Sequence, residues 1–254
     1  MPDIEYLLRK LSFVADLTEK QRQVLNALFD GPRHVSAGTV LVSEGEPNYT
    51  GFVICEGWAA RERLLNDGDR QVVNFMVPGD LSEPGAFVTN AADHTITTLT
   101  DSVIRCFPHH RWFHTLRQDP VLTLVVWWLA AHEEAVLKEH IVALGRRRAR
   151  PRLLYMMWEL CRRLEMVGLC RDHRFALPAG NADLADALGL SPRHLSRVLA
   201  EVRHEGIIDV GDGYCVIRDP DRLLSACDCR DVYLQITSIA SAVRDTLSQD
   251  PAPV

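Results

Sequence analysis

The chain predicts an α+β fold of three parts: an N-terminal antiparallel β-roll, one long helix, and a C-terminal helix-turn-helix with a wing. Three observations carry this. Residues 34–108 break into short β-branched and aromatic runs separated by "NDGD", "VPGD" and "EPGA". After Pro120 neither glycine nor proline recurs until Gly145. Residues 181–208, "NADLADALGLSPRHLSRVLAEVRHEGII", join two helical patterns through a single glycine.

Residues 4–29 carry two short helical patterns, the second opened by Thr18 with Gln21 three positions on, the capping-box arrangement. The period then changes. Runs such as "TVLV", "TGFVICEG", "RQVVNFMV" and "HTITTLT", with turn residues at this density, indicate an antiparallel sandwich or barrel of about eight strands. From Pro120 a helix of about 25 residues, roughly 37 Å long, can run uninterrupted. Its first half is apolar all round, so it needs cover on more than one side. One flank can rest on the roll; Val121, Val125, Trp128, Ala135 and Val142, at spacings of three, four and seven, form the seam expected to meet a second copy of the chain. His132 and Glu139 fall on the same seam and weaken it. At "GRRRARP", residues 145–151, glycine, proline and four arginines mark the expected hinge. The chain therefore divides into 1–119, helices and roll; 120–145, the long helix; 146–226, the helix-turn-helix unit; and 227–254, a helical extension. In that extension Val232, Ile236, Ile239, Val243 and Leu247 form one apolar stripe, expected to dock near Leu153, Leu154 and Met157.

Within 181–208 the first helix buries Leu184, Ala185 and Leu188, and Gly189 ends it by supplying left-handed backbone. Ser191 caps the second helix and Pro192 takes its first position, where a missing N–H costs nothing. Leu195, Val198, Leu199 and Val202 form its inner stripe; Arg193, His194, Ser196, Arg197, Arg203 and His204 remain outside. This pattern is that of a helix entering the DNA major groove, where arginine pairs bidentately with guanine O6 and N7. "GIIDVGDGYCVI" behind it, turning at Asp212 and Gly213, fits a wing hairpin.

Composition permits this reading. The net charge is −6, but residues 146–230 hold 15 basic against 12 acidic side chains, so an acidic N-terminal part is joined to a mildly basic one. The longest apolar run, Val121 to Ala131, is about half the ~20 residues of a membrane-crossing helix, and the N-terminus has no targeting pattern. Seven scattered cysteines fit reduced thiols and a cytoplasmic location. A cupin-like metal enzyme is disfavoured, since residues 34–105 contain only His34 and His94. The chain is read as a non-enzyme.

The order of parts, with "PGDL" on the roll, a basic hinge and "ADLADALGLSPRHLSRVLAEVRHEGII", resembles the Crp–Fnr family of bacterial transcription regulators, and "WAARERLLNDGDRQVVNFMVPGDL", "ADHTITTLT" and "HIVALGRRRAR" are most similar to its rhizobial FixK-like members. The resemblance implies a cyclic-nucleotide-binding-like jelly roll, a homodimer on a palindromic double-stranded operator, and RNA polymerase as a further partner of an activator. It also implies that Arg193, Ser196 and Arg197 read bases and that Asn181 contacts the DNA backbone, a role to which His194 and Arg203 are also assigned. Position 193 carries arginine where the best-known members carry glutamate. Nucleotide-binding members pair the cyclic phosphate with an arginine, yet no Lys or Arg lies between Gln71 and Ile104, and Asp93 and His94 stand near the expected site. Cyclic AMP is therefore not expected; Glu83 remains as a ribose-contact candidate, and no cofactor is assigned. A redox-, metal- or haem-responsive regulator on the same fold is the alternative, with His94, His109, His110 and His114 as axial candidates and Cys227 and Cys229 as a thiol pair.

Overall fold

The computed structural model describes residues 3–82, 91–228 and 234. Glu83, Cys229 and the apolar stripe proposed for 232–254 lie outside the described residues. Two helices open the chain, α1 (Glu5–Ser12) and α2 (Glu19–Leu28). The capping box at Thr18 forms: its hydroxyl accepts from the Gln21 amide at 3.3 Å, and the Gln21 side chain accepts from the Thr18 amide at 3.0 Å.

The roll follows as β1 (Arg33–Val35), β2 (Val40–Val42), β3 (Thr50–Glu56), β4 (Ala59–Leu64), β5 (Arg70–Met76), β6 (Thr95–Thr98) and β7 (Ser102–Pro108). They make two antiparallel sheets, ordered β1-β7-β3 and β2-β6-β4-β5. Among the described residues there are seven strands in the roll where about eight were expected; "VPGDL" contributes only a single bridge, Leu81 to Val53. Phe52, Ile54, Ala59, Met76, Ile96 and Ile104 fill the space between the sheets.

A short α3 (His109–Gln118) leads into α4 (Pro120–Arg146), 27 residues long. Asp119 caps α4 by accepting from the amides of Val121 and Leu122 at 2.9 and 3.1 Å, and Pro120 occupies the first position. The helix continues through Gly145, so the division expected after 145 falls inside it. By length and mean hydropathy α4 would also suffice to cross a bilayer; here its inner row, Leu122, Val125, Val126, Leu129 and Val136, is buried in the protomer. Leu122 to Leu129 pack with α1, α2 and the outer face of the β1-β7-β3 sheet.

Those contacts correct the expected seam. Val125 is 1% exposed within its own protomer, and Val121 and Trp128 pack on the same cluster. His132 is buried as well, and Glu139 pairs with Arg147 at 2.6 Å. Ala135 is half-buried and only Val142 of the five is exposed. The outward row is one position away: Leu124, Trp127, Ala131, Glu134, Lys138 and Ile141 recur at three and four, with Trp127 72% and Ile141 70% exposed. Because the first half of α4 is apolar on every side, its spacing sets the period but not the phase.

The C-terminal unit comprises α5 (Ala149–Met166), β8 (Cys170–Arg171), β9 (Arg174–Ala176), α6 (Asn181–Leu188), α7 (Pro192–His204), β10 (Ile208–Gly211), β11 (Tyr214–Ile217) and α8 (Pro220–Cys227). Its sheet runs β10-β11-β9-β8. One hydrophobic cluster joins this unit to the roll, from Trp58, Val72 and Phe75 to Leu153, Leu160, Leu184 and Leu195. Leu234, the one described residue beyond 228, is buried, and its carbonyl accepts from the His132 ring on α4 at 2.7 Å.

Candidate nucleic-acid interface

Gly189 closes α6 at φ 59°, ψ 42°, the left-handed conformation required of it. Ser191 then caps α7, its hydroxyl accepting from the His194 amide at 3.3 Å, with Pro192 at the first position. Leu195, Val198 and Val202 are buried, each contributing about 1.5–3 kcal/mol; Leu199 is half-buried. This burial fixes the roll angle of α7 and leaves Arg193, Ser196 and Arg197 outward. Neither Arg193 nor Arg197 makes a hydrogen bond or ion pair to another described residue. Two exposed guanidinium groups one turn apart are thus available to an external acceptor, while the Ser196 hydroxyl donates back to the Pro192 carbonyl at 2.9 Å.

The flanking residues differ among themselves. Asn181 begins α6 and is exposed; His194 is half-buried. Arg203 is engaged within the unit: its guanidinium donates to Asp209 at 2.9 Å and to the Val210 carbonyl, tying α7 to β10. The wing turn has Asp212 at φ 51° and Gly213 at φ 76°, the paired positive values of a two-residue hairpin whose twist matches its strands.

The basic hinge is mostly structural. Arg147 donates to the Cys227 carbonyl at 3.1 Å and lies over the Tyr155 ring at 4.6 Å. Arg150 pairs with Glu205 at 2.6 Å. Arg152 donates to the carbonyls of Ala143, Leu144 and Arg147 at the end of α4, and to that of Leu188 at the end of α6. One cation therefore satisfies the carboxyl ends of two helices. Arg146 and Arg148 are exposed.

Between the roll and this unit lies an ionic network that sequence spacing does not reveal. Asp80, from "PGDL", accepts from Lys10 of α1 at 2.8 Å and from Arg163 of α5 at 2.6 Å. Arg163 also reaches Glu159 at 3.1 Å, Asn74 at 3.0 Å and the Phe75 carbonyl at 2.9 Å. Glu159 continues to His140 of α4 at 2.5 Å, whose other ring nitrogen bonds the Val73 carbonyl. Burial alone would raise the Asp80 carboxyl, but Lys10 and Arg163 outweigh it and hold it well below the usual carboxylate range. Burial would likewise lower His140, and Glu159 reverses the sign. His132, beside a cavity of about 30 Å³ that Lys10, Asp80 and Arg163 also line, is pushed down to about 3 by burial and then by Lys10 and Arg163.

The roll does contain a buried cation outside the window from Gln71 to Ile104. Arg61 on β4 is 5% exposed, pairs with Glu133 of α4 and donates to the Ser82 carbonyl at 2.6 Å. Arg70, at the start of β5, grips α6 through Asp183 at 2.6 Å and Asp186 at 2.8 Å, and also meets Glu62 at 3.1 Å. Asp93 is paired with the His94 ring, and His110 and His114 lie exposed on α3 with His109 buried at its start. Buried Cys227 hydrogen-bonds the Leu224 carbonyl.

Comparison with known proteins agrees with this layout. The family described as a cyclic nucleotide-binding domain matches residues 32–119, and the Crp-like helix-turn-helix domain matches 151–226. The nitrogen fixation regulation protein FixK of Rhizobium meliloti is 28% identical over 208 residues, spanning 80% of this chain and 91% of that protein. The transcriptional activatory protein AadR of Rhodopseudomonas palustris is 30% identical over 198 residues, spanning 75% and 79%. The structure of FixK2 from Bradyrhizobium japonicum shares the fold, with a TM-score of 0.72 at 24% identity over 79% of this chain and 98% of that one. With a nucleotide-binding-type roll, a long helix and an arginine-bearing recognition helix in one order, the chain belongs to the Crp/Fnr family of DNA-binding transcription regulators.

Proposed function

We propose that this regulator acts in the cytoplasm as a homodimer on a palindromic operator, with Arg193, Arg197 and Ser196 of α7 at the base edges. The observation that carries this is the pair of exposed, uncommitted guanidinium groups on a helix whose opposite face is locked into the core. Asn181 and His194 flank the reading face as backbone contacts; Arg203 acts chiefly by holding the wing. Two-fold related copies place half-sites about one helical turn, roughly 34 Å, apart, a spacing for which the cyclic-AMP receptor protein is itself a standard example. Family members bind DNA as dimers; in this chain the row Leu124, Trp127, Ala131, Glu134, Lys138 and Ile141 of α4 is the surface offered for that contact. RNA polymerase is the further partner where the output is activation.

Cyclic AMP and cyclic GMP are not effectors in this reading. The buried cation of the roll, Arg61, already has a carboxylate partner in Glu133, and a cyclic phosphate entering there must displace it. The base-reading assignment is tested with Arg197→Ala. Specific affinity should fall by about 1–3 kcal/mol per half-site, while affinity for a random duplex falls far less. Equal losses on both duplexes remove the assignment.

A further inference from the structure

Where α5 ends, Gly168 at φ 79° reverses the chain, and the Leu169 amide donates to the Leu164 carbonyl at 2.8 Å. The reversal lays β8 back along the last turns of α5. It brings the buried Cys170 sulfur to 3.1 Å from that of Cys161, which is also buried. Glu165, one turn after Cys161 on α5, places one carboxylate oxygen 3.6 Å from the Cys161 sulfur. The hairpin then turns between β8 and β9 through Asp172 and His173, both at positive φ, 48° and 57°. These paired positive values are those of a two-residue hairpin turn, as at Asp212 and Gly213. The turn aims the His173 Nδ1 atom to 3.5 Å from Glu165 and 3.9 Å from Cys161.

We propose that Cys161, Glu165, Cys170 and His173 form a tetrahedral site for a zinc-class divalent cation within the DNA-binding unit. The donor set of two thiolates, one imidazole and one carboxylate suits a borderline-soft ion. Ligand atoms bonded to such an ion lie roughly 3.3–3.8 Å apart by its usual bond lengths. The contacts of 3.5, 3.6 and 3.9 Å are already close to that, and the ligand atoms of Cys161, Glu165 and Cys170 all lie within 4.8 Å of one another. The sulfur pair at 3.1 Å must open and the His173 ring must swing toward Cys170 to complete the four. The surroundings complete the arrangement. Arg162 pairs with the other oxygen of Glu165, orienting it as a one-oxygen ligand and meeting the single negative charge left after both thiols lose protons. His173 lies against the Trp158 ring at 6.1 Å, and its 38% exposure leaves a path for the ion. Because β9 pairs with β11 of the wing, the bound ion ties the end of α5 to the sheet that carries the wing.

Co(II) titrated into the reduced, chelator-stripped full-length protein without oxygen tests this. The expected result is one Co(II) per chain, with intense tetrahedral d–d bands and a thiolate-to-metal charge-transfer band, both displaced by Zn(II). Loss of an outer-shell partner costs about 10–100-fold in metal affinity. His173→Ala, at a partly exposed position that spares the buried sulfurs, should weaken binding by at least that much with an unchanged circular dichroism spectrum. Cys161→Ser with Cys170→Ser should abolish the charge-transfer band, and Cys106→Ser should keep it. No Co(II) uptake by the reduced protein, a weak octahedral spectrum, or full binding in the His173→Ala protein each overturns the proposal. So does a Cys161–Cys170 disulfide whose reduction restores thiols without metal uptake.

Discussion

Mild acid should destabilise the protein through His132, and by an amount its surroundings fix. Its ring is 3% exposed, stacked on Trp128 at 5.0 Å, and faced by Lys10 from α1, Arg163 from α5 and Asp80 from the turn before Leu81. Burial acts first, the two cations second, and the folded-state pKa falls to about 3 from 6.5. A depressed pKa means that the unfolded chain takes up the proton before the folded one. The loss of stability therefore begins as pH drops below about 6.5 and ends near 3. Between about pH 7.5 and about pH 5 it amounts to about 2 kcal/mol, or roughly 4–8 °C in Tm for a chain of this size. His140 acts in the opposite sense: its raised pKa contributes stability present at lower pH and lost as pH rises through the folded value. The comparison must accordingly be made against His132→Leu, which keeps His140 and every carboxylate. Urea unfolding of both proteins across this interval should show wild type losing about 2 kcal/mol more than the variant. Parallel curves would mean that His132 titrates in the folded protein as it does in the unfolded chain, and the argument from burial and the two cations fails.

Asp80→Asn removes the counter-charge shared by Lys10 and Arg163 and should cost about 3–5 kcal/mol by urea denaturation; a loss below about 1 kcal/mol would show that the network has relaxed around water. Trp127→Glu alters a side chain that the protomer does not bury, so ultracentrifugation should find a folded monomer that has lost operator binding; a retained dimer would move the contact off this row. Calorimetry with millimolar cyclic AMP or cyclic GMP should give no saturable heat, and micromolar binding of either would show that Arg61 exchanges Glu133 for phosphate.

Local chemistry made much of this fold legible. The Gly189 turn, the Ser191 and Pro192 cap, the Thr18 box and the Asp212–Gly213 wing turn each depend on residues within four positions of one another, and each forms. The phase of α4 was not legible, because a helix apolar on every side presents two equivalent stripes until its neighbours choose one. Nor were the partners of Asp80, which lie 70 and 83 positions away, on elements that meet only after the roll has closed. Arg193 and Arg197 were correctly placed outward, whereas Arg147, Arg150 and Arg152 proved to be internal braces. A basic run at a hinge carries no mark that tells a phosphate ligand from a helix cap. Cys161 and Cys170 looked scattered because their proximity depends on the reversal at Gly168.

The hydrophobic cluster shared by the roll and the helix-turn-helix unit bears on how the molecule comes apart. Leu153, Leu160 and Leu184 lose cover if Trp58, Val72 and Phe75 melt, so the helix-turn-helix unit shares its core with the roll, although the roll also has a core of its own between its sheets. Heating should therefore give one calorimetric transition rather than two, with van't Hoff and calorimetric enthalpies in agreement. A fragment beginning near Ala149 would expose an apolar face and need solubilising changes to stand alone. Cooperativity of this kind sends strain in the roll into the orientation of α6 and α7, because Trp58, Val72 and Phe75 pack in one cluster with Leu184 and Leu195.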